Sequence, residues 1–326
     1  MKAIVVDKNS VDGIDFNLQK KIFEENGIEF VVKDCSKDED EIIKECKDAD
    51  VLLVIYRNMT PRIMDACPNL KILVRYGIGY DVIDVEAATQ RGIKVVNSPR
   101  HCLDEVATHT IAMLLAIERK LIIYNDRVKN GDWRVNGGYE MHRLSSQTLG
   151  FVGFGNIARR AADFAKGFGF EMLAYDPYLP DEAFREKGVE RVTLDELYKR
   201  ADVISVHTPL AKETYHLIDK DSIAKMKNGV MIVNTSRGAI ICENDLLDAV
   251  KSGKIRAAAL DVIESEPITQ KNHPAFETGN IILSPHAAYN SKEAEAEMLT
   301  VLANSCVTIL NGGTVPNIVN KKELGL

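Results

Sequence analysis

The sequence predicts an α/β protein of two domains, each built on a parallel sheet. Three observations carry that prediction. Short apolar runs alternate with amphipathic stretches along almost the whole chain, the pattern of strands joined by helical crossovers. At 326 residues the chain exceeds the length at which a single core usually stops growing. A glycine-rich turn, "GFGNIA" at 153–158, opens a second strand–helix series midway along it.

The first series places strands at 3–6, 29–33, 51–56, 70–75 and 93–97, with helices at 17–25 and 40–46 between the early ones. Residues 98–133 come next. Pro99 breaks the chain, and Val106, Ile111, Leu114, Leu115, Ile117 and Leu121 recur at the spacing of one long, largely buried helix. This helix is expected to cross into the second domain. The second series has strands at 149–153, 171–175, 203–206, 230–234, 257–261 and 281–284, which fit a doubly wound nucleotide-binding sheet. A last long helix at 291–310 ends at Gly312 and Gly313, with Pro316 beyond.

Composition narrows the function classes. A net charge of −7 argues against nucleic acid and anionic membrane surfaces as partners. No run approaches the roughly 18 apolar residues of a membrane span, and the opening "MKAIVVD" reads as a strand, not a signal peptide. Cys35, Cys46, Cys67, Cys102, Cys242 and Cys306 are scattered without a C-x-x-C pair, which suits reduced thiols in a cytoplasmic protein. No His/Cys/Asp grouping has metal-ligand spacing, so no metal is expected.

The glycine turn has a steric logic. Gly153 permits a sharp turn, Gly155 clears space for a pyrophosphate, and the small Ala158 lets the helix pack on its strand. The first-turn N–H groups of Asn156 and Ile157 then face the anion. Ile157, Ala161, Phe164, Ala165 and Phe168 are expected to form the buried face of that helix. The same pattern also serves a plain strand–helix turn. Asp176, twenty-one residues after Gly155, argues for the nucleotide, because a carboxylate there accepts hydrogen bonds from a ribose diol and repels a 2′-phosphate. NAD is thereby expected over NADP.

Three later segments carry candidate chemistry: "VNTSRGA" with Arg237, "LDVIESEP" with Asp261, Glu264 and Glu266, and "SPHAAY" with His286. All lie at the carboxyl ends of strands, where open α/β sheets bind ligands. Oxidation of a hydroxyl by hydride transfer needs a base, and histidine exchanges protons near neutral pH. A carboxylate such as Glu266 orients the imidazole, and an arginine such as Arg237 grips a substrate carboxylate in bidentate fashion. His207 is the fallback base. Read singly, Arg237 also fits a solvated loop charge, and His286 a structural histidine.

At these residues the sequence resembles the D-isomer-specific 2-hydroxyacid dehydrogenases. The resemblance also covers "VRYGIGYDVID", "YDPYLPD" and "ADVISVHTPL", and so runs over nearly the whole chain. It implies an NAD domain (99–288) inserted into a discontinuous, flavodoxin-like substrate domain (1–98 plus 289–326), both Rossmann-like. It further implies that Arg237, Glu266 and His286 are catalytic and that the backbone of Tyr76, Gly77, Ile78 and Gly79 receives a substrate carboxylate. Thr208 and Pro209 should line the adenosine side, Thr235 and Ser236 should approach the cofactor, and Asp261 should hold the nicotinamide carboxamide.

Within the family, the chain resembles phosphoglycerate dehydrogenases through Arg57, Arg75 and Arg134, a set suited to a substrate phosphate. It also resembles the C-terminal-binding co-repressors, which implies NADH sensing as the alternative function. Tyr289 stands where those co-repressors carry tryptophan, and Tyr76 and Tyr289 are candidate shapers of the substrate pocket. Formate dehydrogenases carry Gln where this chain has Glu266. The stretch 121–144 resembles the family's dimer arm, which implies a homodimer.

Overall fold

A computed structural model, describing residues 1–10, 13–35 and 38–326, resolves the chain into two compact units. One comprises Met1–His101 with Ser291–Leu326, the other Cys102–Asn290.

In the first unit the strands are β1 (Lys2–Val5), β2 (Glu29–Val32), β3 (Val51–Val54), β4 (Ile72–Arg75) and β5 (Lys94–Val96), all parallel in the order β2-β1-β3-β4-β5. That is the flavodoxin-like order. Alternate side chains explain why the central strands are apolar throughout. Ala3, Val5, Val51, Leu53, Ile72 and Val74 pack with residues of the helices Asn17–Glu25 and Lys292–Leu310, such as Phe23 and Leu302. Ile4, Leu52, Val54 and Leu73 meet Ile42, Ile63 and Ala88 on the other face. The C-terminal tail is tied to β5: Asn320 Oδ1 accepts from the Val95 N–H at 3.0 Å, and Asn317 Nδ2 donates to the Asn97 carbonyl at 2.7 Å.

The second unit holds β6 (Thr148–Val152), β7 (Glu171–Tyr175), β8 (Glu190–Arg191), β9 (Val203–Val206), β10 (Val230–Asn234), β11 (Ile255–Leu260) and β12 (Ile281–Leu283). Their order is β12-β11-β10-β9-β6-β7-β8, a parallel, doubly wound sheet whose order of strand addition switches sides between β6 and β9. The strand β8 has no counterpart among the strands expected from sequence. It is two residues long, exposed and at the sheet edge, so no apolar run marks it.

The expected single helix after Pro99 is two helices, Leu103–Glu118 and Leu121–Lys129. Lys120 separates them in the left-handed region at φ 52°. Its ammonium donates to the Gly137 carbonyl at 2.9 Å and lies 4.9 Å from the centre of the Tyr139 ring, contacts that hold the break in place. Leu121, expected in the core, is 55% exposed as a result. In the helix Asn156–Ala165 the buried face is Ala158, Ala161, Ala162 and Ala165, while Phe168 lies beyond its end on the surface.

Candidate active site

The glycine turn follows β6. Gly153 sits at φ +84°, and a Cβ there would come within 2.8 Å of the Thr208 nitrogen. Turn and β9 loop therefore approach too closely for any side chain. Gly155 is different: a Cβ on it would meet nothing within 4 Å, so the space above the helix start is open. The first turn of Asn156–Ala165 has no acidic residue and no side-chain cap, so the N–H groups of Asn156 and Ile157 remain suited to an anion.

Asp176, just past β7, is half-buried and stitched to the same turn. Its Oδ2 accepts the Phe154 N–H at 2.9 Å and its Oδ1 the Tyr178 N–H at 2.9 Å. A cavity of about 320 Å³ beside it is lined by Tyr175, Asp176, Pro177, Arg191, Val192 and Thr193. Arg191 is engaged by Asp181 and lies 5.3 Å from the Phe184 ring centre. Thr208 and Pro209 leave β9 next to the turn, with the Pro209 carbonyl accepting from the Thr214 hydroxyl at 2.7 Å. Open space at Gly155, an acid-free helix start and a carboxylate at the second strand end together fit the phosphates and ribose of a dinucleotide.

Three further loops leave the adjacent strands β10, β11 and β12 at their carboxyl ends. Asn234, nearly fully buried, knits the first. Its Oδ1 accepts the Ser236 N–H at 3.0 Å and the Ser236 hydroxyl at 2.8 Å, and its Nδ2 donates to the Arg237 carbonyl at 2.9 Å. Arg237 Nη1 donates to the Ser236 carbonyl at 2.8 Å. Gly238 presses this loop onto the next, since a Cβ on it would fall 2.1 Å from the Ile263 carbonyl carbon.

That second loop carries Glu266, whose Oε1 lies 3.0 Å from His286 Nδ1. An ionised carboxylate only accepts, so the resting proton is assigned to Nδ1. His286 adopts φ 52°, a left-handed conformation uncommon for residues with side chains and concentrated at functional sites. Tyr289 presents its ring edge-on to the imidazole with centroids 6.4 Å apart. Residues separated by tens of positions are thus brought together: Arg237 and Glu266 through touching loops, Glu266 and His286 through a hydrogen bond.

Asp261, expected to hold the nicotinamide carboxamide, is engaged within the protein. Its side chain is fully buried and accepts from Ser284 Oγ at 2.5 Å, the Ala287 N–H at 2.9 Å and the Ala288 N–H at 2.9 Å. Burial opposes its charge, but these donors and His109 outweigh burial and bring its pKa down to about 2. In this structure Asp261 holds the His286 loop through the Ala287 and Ala288 amides. His109, for which sequence reasoning finds no partner, lies 3.0 Å from Ser284 Oγ and 3.5 Å from Asp261 Oδ1. Thr110 beside it bonds the Thr235 hydroxyl at 2.8 Å. The helical period that marks Leu103–Glu118 gives no sign that two of its polar residues reach these loops.

His207 is unsuited as the fallback base. Burial of its ring, next to Phe151 and Ser205, pulls its pKa down to about 4, although the residue as a whole is half-buried.

The 76–79 loop belongs to the first unit. Gly77 takes φ +136°, and a Cβ there would overlap Arg75 Nη1 at 1.9 Å, so the guanidinium fills the place of a side chain. Arg75 is 9% exposed and lies 5.8 Å from the Tyr56 ring centre. Asn97 Nδ2 donates to the Ile78 carbonyl at 2.7 Å, and the Ser98 N–H to the Gly77 carbonyl at 3.0 Å. The Gly79 backbone ends this braced turn, half-exposed. The Tyr76 ring is corrected from pocket shaper to core: it packs edge-on to Phe16 and its hydroxyl donates to Gln19. Sequence reasoning also missed Asp7. Fully buried at the end of β1, it accepts backbone N–H groups of Ile55, Tyr56 and Arg57 at 2.7 to 3.1 Å.

A doubly wound sheet with an open glycine turn, and a carboxylate-paired histidine at its carboxyl rim, defines a dinucleotide-binding protein equipped for acid–base chemistry. Residues 111–288 match the NAD binding domain of the D-isomer specific 2-hydroxyacid dehydrogenases. The chain belongs to this family, and NAD is the cofactor of the matched domain.

A D-3-phosphoglycerate dehydrogenase of Methanocaldococcus jannaschii is 39% identical over 326 residues, covering 99% of this chain and 60% of that protein. The chain therefore spans about three-fifths of that relative's length. A glyoxylate reductase of Thermococcus litoralis is 37% identical over 290 residues, 87% of each chain. Among solved structures, a D-lactate dehydrogenase from Aquifex aeolicus, complexed with NAD and lactic acid, superposes with a TM-score of 0.85 at 29% identity over 96% of each chain.

Proposed function

We propose that this chain is an NAD-dependent oxidoreductase that interconverts a small 2-oxo acid and its D-2-hydroxy acid. The His286–Glu266 hydrogen bond of 3.0 Å carries the reading. Bound NAD supplies the hydride donor and acceptor. Arg237 grips the substrate carboxylate, and His286 gives its Nε2 proton to the 2-oxo oxygen in reduction and takes it back in oxidation. Glu266 orients the ring and stabilises the imidazolium. Gly153, Gly155, Asn156, Ile157 and Asp176 hold the phosphates and ribose, Thr208 and Pro209 the adenosine side, and Thr235 and Ser236 the nicotinamide side.

We assign substrate binding to a domain of residues 1–98 with 289–326 and cofactor binding to 99–288. The backbone of 76–79, braced by Arg75, receives the substrate carboxylate, and Tyr289 bounds the pocket beside His286. Glyoxylate or hydroxypyruvate suits this set, and 3-phosphohydroxypyruvate suits it if Arg57, Arg75 and Arg134 form a phosphate site. The protein works in the cytoplasm as a homodimer, through the arm at 121–144. Among the described residues no helix is long and apolar enough to cross a membrane.

NADH oxidation with separate 2-oxo acids tests the reading. Preference for 3-phosphohydroxypyruvate assigns the arginines to phosphate, and preference for an unphosphorylated acid assigns selection to Tyr289. Tight NADH binding without turnover on any acid overturns the enzyme reading in favour of an NADH sensor.

A further inference from the structure

One turn of the helix Leu103–Glu118 reaches two of the candidate catalytic loops. Thr110, fully buried, bonds the Thr235 hydroxyl beside Arg237. His109 faces the loop of His286, where the count of donors and acceptors determines its role. Ser284 Oγ has a single proton, and its 2.5 Å contact with Asp261 Oδ1 uses it. The contact of 3.0 Å between Ser284 Oγ and His109 Nε2 therefore requires His109 to be the donor. The same N–H lies 3.5 Å from Asp261 Oδ1. Asp261 in turn holds the amides of Ala287 and Ala288, and its carbonyl accepts the His286 N–H at 2.8 Å. These bonds surround a residue whose left-handed backbone is itself unfavourable for a residue with a side chain.

We infer that His109 is a positioning residue: by donating to Ser284 and Asp261 it holds the loop that presents His286 to Glu266. The inference rests on the proposed role of His286. His109 acts through that loop and not on the reacting atoms; its side chain is 29% exposed while the carboxylate behind it is fully enclosed. Leucine at 109 leaves Ser284 without its donor and the Asp261 carboxylate with one fewer partner. Glutamine restores an N–H near the position of Nε2.

The test uses H109L and H109Q in the full chain and in an H286A background. With His286 present, H109L is expected to lower kcat about tenfold or more, as small displacements of reacting groups do, while H109Q stays within about threefold of wild type. With His286 replaced, H109L is expected to change kcat less than about twofold, because two residues acting through one group are not additive. An equal loss in both backgrounds, or a change confined to the KM for NADH, overturns the inference. Hydrogen exchange separates this result from failure of the proposed reaction. H109L should accelerate exchange of the Ala287 and Ala288 amides about tenfold without accelerating the core strands. Unchanged exchange at these amides overturns the inference even if the chain turns over no 2-oxo acid.

Discussion

At the scale of residues, the proposed acid–base group is the hydrogen-bonded pair of His286 and Glu266. The carboxylate fixes which nitrogen carries the resting proton, and the left-handed backbone at 286 aims the ring. H286A is expected to lower kcat by roughly 10²–10⁴ at saturating substrate, and E266Q by about tenfold or more because glutamine no longer stabilises the imidazolium. Near wild-type turnover of H286A would remove histidine from the mechanism. His207 supplies a prediction on stability. Unfolded, it binds a proton near pH ~6.5; folded, only near about 4. Its neutral form therefore stabilises the fold fully above pH ~6.5, and that contribution drains away as pH falls through the folded value. The total is about 3 kcal/mol. Denaturant melts between neutral pH and pH ~4.5 should show the loss in wild type and a shallower slope in H207Q. Equal slopes would mean that the buried imidazole is not the source.

The glycine turn is understood at the scale of elements, where two glycines a residue apart do different jobs. Gly153 is required by the chain itself, through its positive φ and the Thr208 backbone. G153A should lose about 1–3 kcal/mol of stability whether or not nucleotide is present. Gly155 is required by nothing in the chain, since its missing side chain would project into open space. G155A should therefore melt near wild type yet bind NADH at least about tenfold more weakly, as a methyl group meets the pyrophosphate. Calorimetry that found unchanged NADH affinity in G155A would move the phosphates elsewhere. The helix Leu103–Glu118 shows how an element serves both core and site. Its apolar period packs it on the sheet, while His109 and Thr110 reach the loops after β12 and β10.

For the whole molecule, the segment after the Lys120 break concentrates apolar surface. Leu121 is 55% exposed, Ile122 47%, Val128 46%, Trp133 85% and Val135 74%. Aromatic and aliphatic side chains gathered this way are normally covered by a partner. The proposed occupant is a second copy of the chain. Sedimentation of W133E/V135E should show a shift from dimer to monomer. A wild-type protein already monomeric at micromolar concentration would sink the arm proposal.

Much of this was legible in one dimension, for a physical reason. Strands of a parallel sheet are buried on both faces, so Val51–Val54 announces itself as an unbroken apolar run and Val203–Val206 as one interrupted only by Ser205. The glycine turn, Asp176, Arg237, Glu266 and His286 are local too, because each comes just after a strand whose end can be read. Features created by packing were not legible. The edge strand Glu190–Arg191 buries nothing, and the Lys120 break depends on contacts with Gly137 and Tyr139. The bond between His109 and Ser284 joins positions 175 residues apart. The same holds for the burial of Tyr76 and the engagement of Asp261 by the His286 loop. Sequence by itself determined the fold class, the family and the candidate chemistry, because periodicity and strand-end motifs are properties of neighbouring residues. Which polar groups hold that chemistry in place was decided by tertiary structure alone, because hydrogen bonds are satisfied between whichever groups the folded chain brings within about 3 Å.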